Sequence, residues 1–142
     1  LVIAYDNGGV NDRFRGRVIF PVHTLSGKVV AFGGRVLKKD EKTAKYVNSP
    51  ESEIYHKSNE LYGIYFAKQA IVKADRCFLV EGYTDVISMH QAGFTNAVAA
   101  LGTAFTSGHG TLLKRYTENV ILSFDSDEAG QRAILRAIPI LK

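Results

Sequence analysis

The stretch Cys77-Phe78-Leu79-Val80-Glu81-Gly82 is a short apolar run that stops at a carboxylate and a glycine. Such a run reads as a strand covered on both faces. Thr84 to Ala92 follows at helical spacing, and Gly93 ends it. Asn96 to Ala100 is a second strand, ending in Leu101-Gly102-Thr103. Thr106 or Ser107 opens a helix running to about Tyr116. Asn119 to Phe124 is a third strand, ending in Asp125-Ser126-Asp127, and a last helix begins near Glu128. Strand and helix alternating at this spacing predict a parallel α/β sheet.

Working back from Cys77, the pattern changes. Arg17 to His23 and Val29 to Leu37 flank the turn Ser26-Gly27 and predict a hairpin. Gly33-Gly34 inside the second strand predicts a bulge or a close backbone approach. Lys38 to Lys45 reads as a charged loop and Asn48-Ser49-Pro50-Glu51 as a turn. Leu61, Ile64, Tyr65, Ala67, Ile71 and Val72 predict a helix from about Ser58 to Ala74, capped by Ser58 or Asn59. The fold class expected is an α+β part with mixed or antiparallel strands over residues 1–75. An α/β part with a Rossmann-like parallel sheet follows over residues 76–142.

Charge divides along the same line. Residues 1–75 carry 12 basic and 8 acidic residues, and residues 76–142 carry 6 of each. Arg13 to Lys57 alone holds 10 basic against 4 acidic residues, as expected of a polyanion-binding surface beside a neutral domain. The single cysteine, Cys77, excludes a disulfide framework and a zinc ribbon and suits a reducing, cytoplasmic setting. No stretch approaches the ~18 apolar residues of a membrane span, so no membrane partner is expected. The start has no signal-peptide pattern, and both ends read as cuts within a longer protein.

In an open parallel sheet, ligands bind beyond the carboxyl ends of the strands. Glu81 ends the first strand and Asp125-x-Asp127 the third, so the three converge if those strands are neighbours. Asp85 lies one helical turn after Glu81. Clustered carboxylates raise one another's pKa unless a cation neutralises them. Oxygen ligands of this kind suit Mg2+ or Mn2+ and a phosphoryl-transfer site. The plainer reading is that Asp125 and Asp127 cap the last helix and Glu81 makes a local ion pair. Arg13, Arg15 and Arg17 alternate at strand spacing, which would put them on one face. Phe14 reads as core, while Tyr46 suits stacking on a base or packing. His23, His90 and His109 lack metal-ligand spacing and read as structural or surface residues.

Glu81-Gly82-Tyr83-Thr84-Asp85-Val86, followed by Asp125-Ser126-Asp127-Glu128-Ala129-Gly130, resembles the Toprim signature. Upstream stand Arg13-Phe14-Arg15-Gly16-Arg17, Phe20-Pro21 and Phe32-Gly33-Gly34-Arg35. Lys45-Tyr46-Val47-Asn48-Ser49-Pro50-Glu51, His56-Lys57 and Leu61-Tyr62-Gly63 follow, and Leu101-Gly102-Thr103 lies further on. Together they resemble the polymerase core of DnaG-type primases over nearly the whole chain.

The resemblance implies residues 1–75 as part of the N-terminal core and 76–142 as a Toprim domain cut short at its end. It implies Glu81, Asp125 and Asp127 as catalytic and metal-binding acids, with Asp85 a further metal position. It places Arg13, Arg15, Arg17, Arg35, Lys45, Tyr46, Asn48 and Lys57 on template or nucleotide. His56 and the Thr103–Ser107 loop are further phosphate candidates, the loop also on helix-terminus grounds. The implied reaction is primer synthesis from ribonucleoside triphosphates on single-stranded DNA, with a replicative helicase bound through a module not in this chain. The family's zinc module and a further acidic pair are also not in it, so the fragment alone is expected to be inactive or weak. The alternatives are another Toprim enzyme (a phage-type primase–helicase, topoisomerase or nuclease) and a non-catalytic α/β binding module.

Overall fold

The computed structural model describes residues 1–38 and 41–142; Lys39 and Asp40, within the expected charged loop, lie outside the described residues. The N-terminal part holds β1 (Val2–Ala4), β2 (Val10–Asp12), β3 (Arg17–His23), β4 (Val29–Val36) and β5 (Tyr46–Asn48). Next come α1 (Ile64–Ala74), β6 (Cys77–Val80), α2 (Tyr83–Gln91), β7 (Ala97–Ala99), α3 (Ser107–Lys114), β8 (Val120–Leu122) and α4 (Glu128–Leu141). β1 and β2 pair alone, β3-β4-β5 is antiparallel, and β7-β6-β8 is parallel. This is the expected succession of an antiparallel α+β part and a parallel α/β part.

β6 is the centre of the parallel sheet, so its period-two alternation serves both faces. Cys77 and Leu79 point into a cluster with Ile64 and Ile71 of α1, Leu112 and Leu113 of α3, and Ala137 of α4. Val80 points the other way, with Ala99 and with Val86 of α2. Helices on both faces explain why the strand reads as an unbroken apolar run. Burying each leucine, isoleucine or valine side chain among these contributes about 1.5–3 kcal/mol. The Cys77 thiol is wholly enclosed, and burial pushes its pKa up to about 12, which makes it inert.

Four expectations need correction. The β3–β4 bulge lies at Val22/His23, whereas the register runs unbroken through Gly33 and Gly34. Those glycines instead meet the other expectation, a close approach to the backbone, by two rings: an added Cβ would lie 2.6 Å from the Tyr83 ring at Gly33 and 2.6 Å from Phe14 at Gly34. α1 begins at Ile64, because Gly63 takes a left-handed conformation (φ 86°) and Tyr62 pairs with Ala99. Ser58 and Asn59 therefore do not cap it. Tyr46–Asn48 is a strand on Gly33–Arg35, so Asn48 ends a strand and the predicted turn over Asn48–Glu51 is not formed. Finally, Arg13 to Gly16 is a turn, with Gly16 at φ 66°, so the three arginines do not share a strand face.

The β1–β2 hairpin was not anticipated, although Asn7-Gly8 between apolar stretches is a hairpin signal. Among the described residues no helix is long and apolar enough to cross a membrane.

Candidate functional site

The carboxyl ends of β6, β7 and β8 lie side by side because the order is β7-β6-β8. Glu81 therefore meets the chain leaving β8. The Asp125 backbone N–H donates to Glu81 Oε1 at 2.5 Å. Both side chains are exposed, as are Asp85 and Asp127. Asp127 is the N-cap of α4, its Oδ1 accepting from the Gly130 N–H at 2.7 Å. Asp85 turns back to its own helix start and accepts from the Gly82 N–H at 3.2 Å. The capping reading of Asp127 thus holds, but each cap uses one carboxylate oxygen and leaves the other free.

Gly130 explains how Asp125 is placed. A Cβ there would lie 2.0 Å from the Asp125 carbonyl oxygen, so only glycine lets the first turn of α4 close over the Asp125-Ser126-Asp127 loop. Beside the acids, Glu81, Thr103, Phe105, Phe124 and Arg136 line a cleft of about 160 Å³.

All four acids are hard oxygen donors, which is the chemistry Mg2+ or Mn2+ requires. Among the described residues no three carboxylate, histidine or cysteine side chains stand close enough to cage a metal unaided. Mg2+ typically takes one or two carboxylates and completes its shell with waters and substrate phosphates.

One ring is a main contact of the basic part with this edge. Tyr83, two residues after Glu81, is 4% exposed. Its ring stacks on Phe20 (4.4 Å, 24°) and meets Tyr46 edge-on (5.5 Å) and Tyr62 at 5.7 Å. Burial, followed by Tyr46, pushes its hydroxyl up to about 12 against the pull of Arg17 and Arg35. That hydroxyl and Asn48 Oδ1 are buried without a hydrogen-bond partner.

The predicted strand-holding residues fall into two groups. Arg13 and Arg17 are turned inward on backbone: Arg13 donates to the Asn48 carbonyl at 2.8 and 3.1 Å, and Arg17 to those of Ala44 (2.8 Å) and Lys45 (3.2 Å). They hold β5 and its approach in place. Arg15, Arg35, Lys45 and Tyr46 are exposed. Lys45 Nζ lies 5.4 Å and the Arg35 guanidinium 6.0 Å from the Tyr46 ring centre, giving a cation-flanked aromatic face. Phe14 is core, packed edge-on against Phe32. His56 stands 3.6 Å from Glu51.

Asn48 and Lys57 come together at the end of β7. A Cβ on Gly102 would lie 3.3 Å from both Asn48 Nδ2 and Lys57 Nζ. Two donors from the basic part thus sit on the loop that begins the Thr103–Ser107 segment. Pattern reading missed Tyr83 and Gly130 as placing residues. Both lie inside the quoted motifs, but what each touches is far away in sequence or is backbone.

Comparison with known proteins identifies the family and the fold. Residues 1–68 match the model for the DNA primase catalytic core, N-terminal domain, and residues 78–142 a Toprim-like model. The DNA primase of Clostridium acetobutylicum is 51% identical over 141 residues, 99% of this chain and 23% of that protein. The chain therefore spans about a quarter of the length of that relative. An Aquifex aeolicus primase structure with zinc-binding and RNA polymerase domains superposes with TM-score 0.91 at 39% identity, covering 99% of this chain and 34% of that one. A DnaG primase catalytic domain bound to single-stranded DNA superposes with TM-score 0.87 at 47% identity, covering 96% of this chain and 44% of that one. From its N-terminal-core motifs, its Toprim-like sheet and these matches, the chain belongs to the DnaG-type DNA primase family and spans the junction of the two parts of its catalytic core.

Proposed function

We propose that the protein containing this chain makes RNA primers on single-stranded DNA from ribonucleoside triphosphates, and that this segment supplies part of its active site. The contact of Glu81 with the Asp125 backbone across adjacent parallel strands supports the reading, as does the meeting of Asn48 and Lys57 at Gly102 after the neighbouring strand β7. The reaction joins a primer 3′-oxygen to an α-phosphorus while the bond to pyrophosphate breaks. Glu81, Asp125 and Asp127, with Asp85 beside them, would hold Mg2+ or Mn2+, which neutralises phosphate charge and orients the displacement. Asn48 and Lys57 donate to the triphosphate at Gly102. Arg15, Arg35 and Lys45 hold the template by its phosphates, without base reading, and Tyr46 gives one base a stacking face. Arg13 and Arg17 keep that surface in shape from behind. Partners of the whole protein would be the template, the nucleotides and a replicative helicase bound elsewhere in the polypeptide, in the cytoplasm.

The test is Asp125→Ala with Asp127→Ala in a full-length primase carrying this sequence. Primer synthesis should be lost while single-stranded DNA binding is retained. Unchanged synthesis would overturn the assignment.

A further inference from the structure

His109 is fully buried on the first turn of α3, and both of its ring nitrogens are engaged. The Thr106 backbone N–H donates to Nδ1 at 3.0 Å. A backbone N–H can only donate, so Nδ1 carries no proton. The hydrogen therefore sits on Nε2, which donates to the Lys57 carbonyl oxygen at 2.7 Å. One neutral tautomer satisfies both contacts, and neither partner can exchange roles.

The neighbouring groups make this a docking point. Thr106 Oγ1 donates to the Ser58 carbonyl at 2.6 Å and accepts from the His109 N–H at 3.2 Å. A Cβ on Gly108 would lie 2.6 Å from that Ser58 oxygen, so the 57–59 backbone lies directly on the start of α3. On its other side the Lys57 N–H donates to Glu51 Oε1 at 2.8 Å. The peptide groups flanking Lys57 are thus held from both sides, and its side chain runs from there to Gly102.

We infer that His109 is a positioning residue for nucleotide binding: through the Lys57 carbonyl it sets where the Lys57 ammonium meets a phosphate at the end of β7. Capping alone does not account for the arrangement. The Thr106 contact already closes the start of α3, whereas the Nε2 contact reaches across to the basic part of the chain. The inference rests on the reading of Lys57 as a phosphate ligand.

The test uses a full-length primase carrying this sequence, with KM for ribonucleoside triphosphates and kcat measured separately. In His109→Asn, the amide oxygen stands near the place of Nδ1 and keeps the Thr106 contact, but the shorter side chain does not reach Lys57. KM should rise about tenfold with kcat nearly unchanged, the scale expected for misplacing one charge-assisted contact. In His109→Gln, the amide reaches the Nε2 position, and KM should return close to the parent value. Lys57→Ala should raise KM, and adding His109→Asn to it should raise it no further.

Three results overturn the inference. If His109→Asn leaves KM unchanged while Lys57→Ala raises it, the Lys57 reading survives and the positioning role does not. If the two changes multiply, His109 acts elsewhere. If Lys57→Ala leaves KM unchanged, the phosphate reading itself fails. Should His109→Asn not fold, His109→Gln carries the test, and a tenfold higher KM in it overturns the inference.

Discussion

The backbone amide of Asp125 donates to the carboxylate of Glu81 across the two adjacent strands β6 and β8. The acid that ends one strand therefore fixes the chain leaving the other. Glu81 accepts from that amide, and in the function we propose it also supplies negative charge at the site. Glu81→Gln keeps the acceptor and removes the charge. We expect primer synthesis to fall about 100-fold or more with thermal stability nearly unchanged. Retained activity would show that only the hydrogen bond matters.

Gly130→Ala places a methyl 2.0 Å from the Asp125 carbonyl oxygen, which is backbone and cannot swing aside. Overpacking of this kind typically costs about 1–3 kcal/mol, and this contact lies at the severe end. Denaturant unfolding should show that loss, together with loss of synthesis. An unaltered midpoint would mean that α4 starts differently.

The Tyr83 hydroxyl is buried without a partner, while its ring carries the contacts to Phe20, Tyr46 and Tyr62. Tyr83→Phe should therefore be neutral or slightly stabilising, since an unsatisfied buried hydroxyl costs about 1–3 kcal/mol. Tyr83→Ala should cost about 3–5 kcal/mol, as aromatic truncations in cores do. Equal losses in the two variants would mean that the hydroxyl has a partner.

Burial lowers the His109 pKa from its ordinary 6.5, against the raising effect of its backbone contacts with Lys57 and Glu60. The unfolded chain then binds a proton that the native state refuses. Stability from this residue is complete above pH 6.5 and falls as pH drops from there toward the lower native value. Unfolding at a series of pH values should show that slope in the parent and its loss in His109→Asn. An identical slope in both would assign it to another group.

Arg35 and Lys45 are exposed beside Tyr46, whereas Arg13 is committed to the Asn48 carbonyl. Arg35→Ala or Lys45→Ala should each reduce the salt dependence of single-stranded DNA binding by about 0.7 in log–log slope. Arg13→Ala should lower stability instead, because it frees a carbonyl that a charged donor satisfies. An unchanged slope in Arg35→Ala and Lys45→Ala would place the template track elsewhere.

The order of elements was legible along the chain. Both layers of helices cover β6, so its run is wholly apolar, and the acids at Glu81 and Asp125 stand where parallel strands expose their ends. The short strands β1, β2 and β5 were not read, since they lie exposed or only half-buried and carry no buried apolar run. Nor was the start of α1, where the Tyr62–Ala99 pairing overrides helical spacing. Residue types alone identified the acids, the basic stretch and the glycines. Only the tertiary structure decided which arginines face inward, what the double glycine accommodates, and that His109 holds Lys57. Those outcomes depend on which carbonyl, ring or backbone is brought within reach from distant parts of the chain. Local periodicity carries no record of such pairings, because it reports the face a residue lies on and not the group opposite it.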